Sequence, residues 1–325
     1  MASAFDLDRL LGMVSPSAPN CADIIRTLLD LKADQEDQAL SQHLLTDLVL
    51  RYAEAERRLI RLNAELREKQ ERLDADLQAA AVIQQALLPK AWPDRGPVRA
   101  AWKFAPCDRI GGDVFLLTPL GSRFLMMAVV DISGHGVPSA MVTVSVCQFL
   151  QPQSGVVWQP GAAPDGTAVP PAQVLTALDR EFPYRRFKKT LSIFYGLLDV
   201  TTGQFAYANA GHPPPFLQRP DGTIARLDAH GPIIGMGLGE SFPEERVELV
   251  AGSRLTAFSD GLTECRNAAG ELFGEERLAD LLIAARDLPL RDLPTRIWDT
   301  AAQFVGQRGF PDDFTLVHLE YRGRE

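Results

Sequence analysis

Cysteine is scarce in this chain: four in 325 residues, at positions 21, 107, 147 and 265. No two form a CxxC pair and no histidines cluster, which argues against both a zinc site and a disulfide framework and fits a reducing cytoplasm. Basic charge is also in deficit. A formal net charge of −9 lacks the cationic footprint that a phosphate backbone requires, so nucleic acid is not an expected partner. No apolar run approaches the roughly 18 residues of a membrane span. The opening stretch MASAFDLDRLLGMV has no basic segment ahead of its apolar residues, which argues against a secretory leader. The composition, 46% hydrophobic and 23% charged, is that of a soluble globular protein with enough length for a large core.

Glycine and proline are missing altogether from Leu45 to Leu88, where alanine, leucine, glutamate, arginine and glutamine dominate. These are strong helix formers, so one long helix is expected. Stepping by sevens meets Leu45, Tyr52, Leu59, Leu66, Leu73, Ala80 and Leu87, with Leu48, Ala55, Leu62 and Ile83 at most intervening positions. That repeat predicts a coiled coil and a homodimer. Lys69 and Asp76 fall on the seam and weaken its middle. Residues 1–46 hold shorter amphipathic pieces such as ADIIRTLLDLKA and read as a helical regulatory or sensor region where an activator protein could dock. The run LLPKAWPDRGP, with three prolines, ends the long helix. The expected organisation is therefore 1–46 helical input region, 47–90 coiled-coil linker and 91–325 catalytic domain.

Beyond residue 90 the texture changes to short β-like runs separated by turns. RFLMMAVVDIS reads as a buried strand; TLSIFYGLLDV and QFAYANAG flank a TTG turn, and PPFLQR and TIARL flank PDG, as two hairpins. Helical patterns alternate with them at VPSAMVTVSVCQFL, PPAQVLTALDREF, GEERLADLLIAARD and RDLPTRIWDTAAQFV. The fold class expected is α+β, with antiparallel sheets flanked by helices. The Pro/Gly-rich stretch 151–171 reads as a surface loop, either a flap beside a site or an insertion.

Acidic residues recur at the ends of the apolar runs: Asp113 in IGGDVF, Asp131 in VVDISGHG, Asp260 in AFSDGLTE, and Asp312 with Asp313 in FPDDFTLV. Glycines at 111, 112, 134, 136 and 261 would let the backbone turn or approach a ligand. If the carboxylates converge, each pair at 4 Å costs about 4 kcal/mol at an effective dielectric near 20. Divalent cations relieve that repulsion, and an oxygen-only donor set selects hard ions, Mg²⁺ or Mn²⁺. A pair of such ions about 4 Å apart serves hydrolytic phosphate chemistry.

The ordered series IGGDVF, VVDISGHGVPSAM, FYGLLDVTTGQFAYANAGHPPPFL, FSDGLTECRNAAGELFGEERL and DDFTLV resembles the bacterial SpoIIE/RsbU-type branch of the PPM (type 2C-like) metal-dependent serine/threonine phosphatases, over about residues 80–322. The resemblance implies an α-β-β-α sandwich whose metal pair hydrolyses phosphoserine or phosphothreonine on a protein, often a STAS-domain anti-anti-sigma factor in a partner-switching pathway. Carried over, Asp113 and Asp131 are catalytic metal ligands, the Ile132 carbonyl assists, and Asp260 and Asp312 complete the set. Asp313 and Gly112 support the ligands from behind. Arg109 and His135 are candidate substrate contacts, while His212 in NAGHPPP and the basic run RRFKK read as packing and solvated loop. Family members often carry an Asp three residues after the GGD carboxylate, where this chain has Leu116. A catalytically weak binding module is the competing reading. A degenerate GGDEF-type nucleotide cyclase is more remote, since Val114 replaces its second acid and three further aspartate motifs follow.

Overall fold

The computed structural model describes residues 35–92, 96–134, 136–159, 161, 166–239 and 241–323. The segment ADIIRTLLDLKA, most of the 1–46 region and His135 lie outside the described residues. The chain divides into two compact units, Met1–Asp76 and Leu77–Glu325.

A single helix, α1, runs over Gln35–Leu87. It begins ten residues ahead of the expected Leu45 because QEDQALSQHL also lacks glycine and proline and holds good helix formers. It stops just short of Pro89, since a proline disfavours helical backbone in the residue before it. Leu48, Leu59, Leu62, Leu66 and Leu73, all on the heptad seam, are exposed on the single chain.

The second unit is built on two five-stranded antiparallel sheets. One runs β1 (Val98–Ala105), β12 (Phe314–Tyr321), β11 (Arg254–Phe258), β8 (Phe216–Gln218) and β9 (Ile224–Arg226). The other runs β10 (Glu244–Glu248), β7 (Gln204–Ala210), β6 (Leu191–Asp199), β3 (Phe124–Ile132) and β2 (Val114–Leu120). Alternation along the strands assigns each face its own core. Phe115, Leu117, Val129 and Phe194 point between the sheets to meet Leu255 and Val317. Their neighbours Val114, Leu116, Val130 and Ile193 face outward against α2 (Val137–Phe149) and α3 (Pro171–Glu181). On the opposite side Phe258, Phe314 and Leu316 pack against α6 (Gly274–Ala284) and α7 (Leu293–Val305). Both faces of the central strands are thus buried, which is why their sequences read as continuous apolar runs. The layering is α-β-β-α, as expected.

Leu116 occupies an outward-facing core position under α2 and is only 4% exposed. A carboxylate there would need a partner that this apolar cluster does not supply.

The described residues of the 151–171 stretch do not line the cavities at the acidic residues. Its short strands β4 (Trp158–Gln159) and β5 (Thr167–Ala168) pair with each other, and Val157 and Val169 are buried in the helix-covered core. Ala168 and Pro170 line a cavity of about 370 Å³ with Arg123 and Asp199. Because Phe124 pairs with Asp199 and Asp131 with Ser192, that cavity lies at the end of the sheet opposite Asp131. The small apolar residues of the stretch gave it enough burial to fold down.

Candidate metal centre

The four aspartate motifs arrive at one end of the sandwich from both sheets. Asp113 immediately precedes β2, and Asp131 sits near the end of β3. Asp260 opens the short helix α5 (Asp260–Thr263) just after β11, and Asp312 and Asp313 immediately precede β12. Direct bonds tie the two sheets together here. Asp113 donates its backbone N–H to Asp313 Oδ2 at 3.1 Å, and Thr315 Oγ1 donates to Asp113 Oδ2 at 2.6 Å. Asp313 Oδ1 also accepts the Cys107 N–H at 2.9 Å. Both Asp113 and Asp313 are 2% exposed, so the latter is a buried brace with its two oxygens engaged. Asp312 is exposed and lines a cavity of about 420 Å³ together with Asp260, Gly261 and Glu264. Asp131 and Asp260 line a second cavity of about 380 Å³ with Ser133, Ser192, His212 and Glu264.

The glycines divide into two kinds. Gly134 and Gly136 have φ of 77° and 81°, a region that L residues rarely adopt. At Gly111, Gly112 and Gly261 close approach is what matters. A Cβ on Gly111 would stand 2.0 Å from Asp313 Oδ2, on Gly112 2.5 Å from the Ile132 carbonyl oxygen, and on Gly261 2.1 Å from the Asp313 carbonyl oxygen. The GGD loop therefore lies directly against the end of β3, where Ile132 N–H donates to Gly112 O at 3.3 Å.

The electrostatics describe a crowd of negative charge. Burial, then the charges of Asp131 and Asp313, raise the Asp113 carboxyl well above the usual carboxylate range. Asp131 is pushed up to about 7 by burial and then by Asp260, Asp312 and Asp313. Asp260 is raised by burial, Asp312 and Glu264. Neither lysine nor arginine is among the residues lining the cavity at Asp131. An all-oxygen donor set under mutual repulsion fits a hard divalent cation.

Among the described residues, Cys107 Sγ with Asp312 and Asp313 is the set of three potential ligand atoms lying within 4.8 Å of one another. Cys107 is solvent-exposed, and partial desolvation followed by the charge of Asp313 pushes its thiol up to about 12, so without a bound cation it keeps its proton. His212 is buried, with Nδ1 2.8 Å from Ser192 Oγ, and its backbone is clamped on both sides by the Asn209 amide at 2.8 Å. Burial lowers it to about 3, which leaves it neutral and suited to bracing the turn after β7. Arg109 donates to Gln78 Oε1 at 3.4 Å and is not among the residues lining either cavity at Asp260.

Gln84 is a contributor that spacing and charge did not single out. From the end of α1 it donates Nε2–H to Gly111 O at 2.7 Å and accepts the Gly111 N–H on Oε1 at 3.1 Å. Its signal in the sequence is one of two adjacent amides, Gln84 and Gln85, in the otherwise apolar segment AAVIQQALLP; Gln84 is 4% exposed once folded. Thr143 Oγ1, 2.8 Å from Gly112 O, supports the same loop from α2.

A family model described as Stage II sporulation protein E (SpoIIE) matches residues 122–322, more than half of the chain. The chain belongs to the SpoIIE family. The Asp113 block stands just ahead of the matched range, and the Asp131, Asp260 and Asp312 blocks lie within it. Among SpoIIE-related proteins, the chain is 26% identical to phosphoserine phosphatase RsbU of Bacillus subtilis (strain 168) over 256 residues, 78% of this chain and 72% of RsbU. It is 28% identical to Protein IcfG of Synechocystis sp. over 227 residues, 64% of this chain and only 36% of IcfG, so it spans about a third of that relative's length. The solved SiaA-PP2C domain of Pseudomonas aeruginosa aligns with a TM-score of 0.64 at 24% identity, covering 78% of this chain and 98% of that domain. At that identity the likeness establishes the fold, a PPM-type sandwich.

Proposed function

We propose that this SpoIIE-family protein is a metal-dependent phosphoprotein phosphatase that hydrolyses phosphoserine or phosphothreonine on a regulatory protein, a STAS-domain partner in a partner-switching pathway. The observation that carries the reading is that Asp113, Asp131, Asp260 and Asp312 come from both sheets to one end of the sandwich, where Asp131, Asp260 and Asp312 line two cavities that share Asp260 and Asp113 is buried. The name of the relative RsbU, a phosphoserine phosphatase, supports the substrate chemistry.

Asp113, Asp131, Asp260 and Asp312 would hold two ions, Mn²⁺ or Mg²⁺, with help from the Ile132 carbonyl. When bound, such cations supply electrostatic stabilisation of phosphoryl oxygens and activation of water. Asp313 works from behind: its two oxygens fix the Cys107 and Asp113 amides and so set the GGD loop. Thr315 fixes the rotation of the Asp113 carboxyl. No cysteine or serine is required as nucleophile. Hydrolysis of an aryl phosphate and of a phosphorylated STAS-domain protein, with and without Mn²⁺, tests the assignment; metal-independent or absent turnover would argue against it.

The exposed heptad seam of α1 supports a homodimer through a parallel coiled coil, with residues 1–46 receiving an activator protein in the cytoplasm. Gln84 gives regulation a physical route, since the end of α1 is hydrogen-bonded to the loop that carries Asp113. A change in helix packing would then bias the geometry of the acidic site, a bistable element of the kind a switch needs.

A further inference from the structure

The two cavities that share Asp260 and Glu264 differ in charge. The one reaching Asp131 is lined by Ser133, Thr190, Ser192, Pro213 and Ile233 beside its carboxylates, with no arginine, and its nearest named cation is Lys189, whose Nζ donates to Ser133 O at 2.7 Å. The one reaching Asp312 ends in Arg266 and Arg308. Both guanidiniums are held by main-chain carbonyls. Arg266 Nη1 donates to Gly270 O at 2.9 Å, and Arg308 donates to Asn267 O at 3.3 Å and Ala268 O at 3.4 Å. These bonds restrain the side chains over the turn at 267–270, itself closed by Gly270 N–H to Asn267 O at 3.0 Å. Among the described residues neither arginine forms an ion pair, whereas Arg123, Arg226, Arg246 and Arg254 each do.

A guanidinium fixed by neutral carbonyls keeps its full charge and its remaining N–H groups available, and it matches the planar fork of a carboxylate. The acidic end of this cavity repels an anion only while it is uncompensated; cations on Asp260 and Asp312 would reverse its sign. The whole trough would then favour an anionic chain segment lying across it.

We propose that Arg266 and Arg308 form an acidic-residue subsite: the substrate is a phosphorylated segment carrying an aspartate or glutamate on one side of the phosphorylated residue, and the other side enters the cavity beside Asp131, which no arginine lines. The proposal rests on the phosphatase reading for the position of the phosphoryl group, and it adds the polarity of the substrate.

The test is fluorescence anisotropy of labelled peptides in which a phosphonate replaces phosphoserine, with Mn²⁺ present, bearing glutamate on the N-terminal side, on the C-terminal side, or alanine on both. The wild type should prefer one of the two acidic peptides over the alanine peptide by about threefold to fivefold, in line with ion pairing to exposed guanidiniums. In the Arg266→Ala/Arg308→Ala variant that ratio should fall close to one. Arg308→Glu should prefer a lysine-flanked peptide, which keeps the result readable if alanine at both positions disturbs the 267–270 turn. Equal preference for both acidic peptides, a preference that survives the double substitution, or an equal weakening of acidic and neutral peptides would overturn the proposal. Wild-type turnover of an aryl phosphate, measured alongside, reports separately on the phosphatase reading: turnover without a peptide preference sinks only the subsite, and a preference without turnover sinks only the phosphatase.

Discussion

Replacing Gln84 by alanine should impair the acidic site without touching a single carboxylate. The side-chain amide satisfies both the N–H and the C=O of Gly111, at 3.1 and 2.7 Å, and Gly111 is buried. Removing it strands two polar groups, at about 1–3 kcal/mol each. Water entering the vacated space can recover part of that, so a loss of about 2–4 kcal/mol is expected. The kinetic effect follows from geometry. Gly111 is two residues from Asp113, and a displacement of about 1 Å at a reacting centre can cost on the order of 100-fold in rate. The assay pairs urea denaturation with metal-dependent hydrolysis of an aryl phosphate. Gln84→Met, similar in reach but with no hydrogen-bonding amide, should behave like alanine, whereas Gln84→Glu keeps an acceptor for the Gly111 N–H and turns an oxygen towards its carbonyl. Wild-type stability and rate in Gln84→Ala would refute the claim that α1 positions the GGD loop.

Other expectations follow from the same contacts. Gly261→Ala places a Cβ 2.1 Å from the Asp313 carbonyl oxygen and should destabilise the domain by about 1–3 kcal/mol in denaturant titration, with loss of turnover. Replacing both Lys69 and Asp76 by leucine should strengthen the dimer in sedimentation and change the phosphatase rate; unchanged oligomeric state and rate would remove the seam from the account. Buried His318, its Nδ1 2.8 Å from Thr256 Oγ1, is lowered to about 3 by burial and by Arg254. Between pH 7 and 5 the unfolded chain takes up a proton that folded His318 refuses, so its contribution to stability is lost as pH falls through that window. His318→Gln should therefore lose about 2 kcal/mol less than the wild type between those pH values.

The sheets, hairpins and flanking helices were legible because their sequences agree at several levels. The TTG and PDG turns close hairpins between β6 and β7 and between β8 and β9, and Pro294 lies in the first turn of α7, where its missing N–H costs nothing. The acidic blocks were legible too, because strand ends deliver side chains to one edge. What spacing could not distinguish was why a glycine is there: Gly134 and Gly136 serve a backbone angle, while Gly111 and Gly261 make room for Asp313, a residue some 200 and 52 positions away respectively. Long-range fit leaves no local mark. The same holds for Gln84, whose partner is 27 residues distant, and for Asp313, whose burial contrasts with exposed Asp312 beside it. In the 151–171 stretch prolines and glycines dominate the local pattern, so the few apolar side chains that anchor its described part, among them Val157 and Val169, leave no periodic signal.

The central claim is that Asp131 belongs to a metal-dependent hydrolytic centre. Mn²⁺ titration of aryl phosphate turnover by the wild type and by Asp131→Asn, with isothermal calorimetry of Mn²⁺ binding to both, tests it most directly. The account predicts saturable metal-dependent turnover and a fall of at least about 100-fold in the variant, beyond the 10–100-fold typical of losing an outer partner, with weakened metal binding and an intact fold. Turnover in the wild type that survives chelation, or an asparagine variant that binds Mn²⁺ and turns over like the wild type, would contradict it.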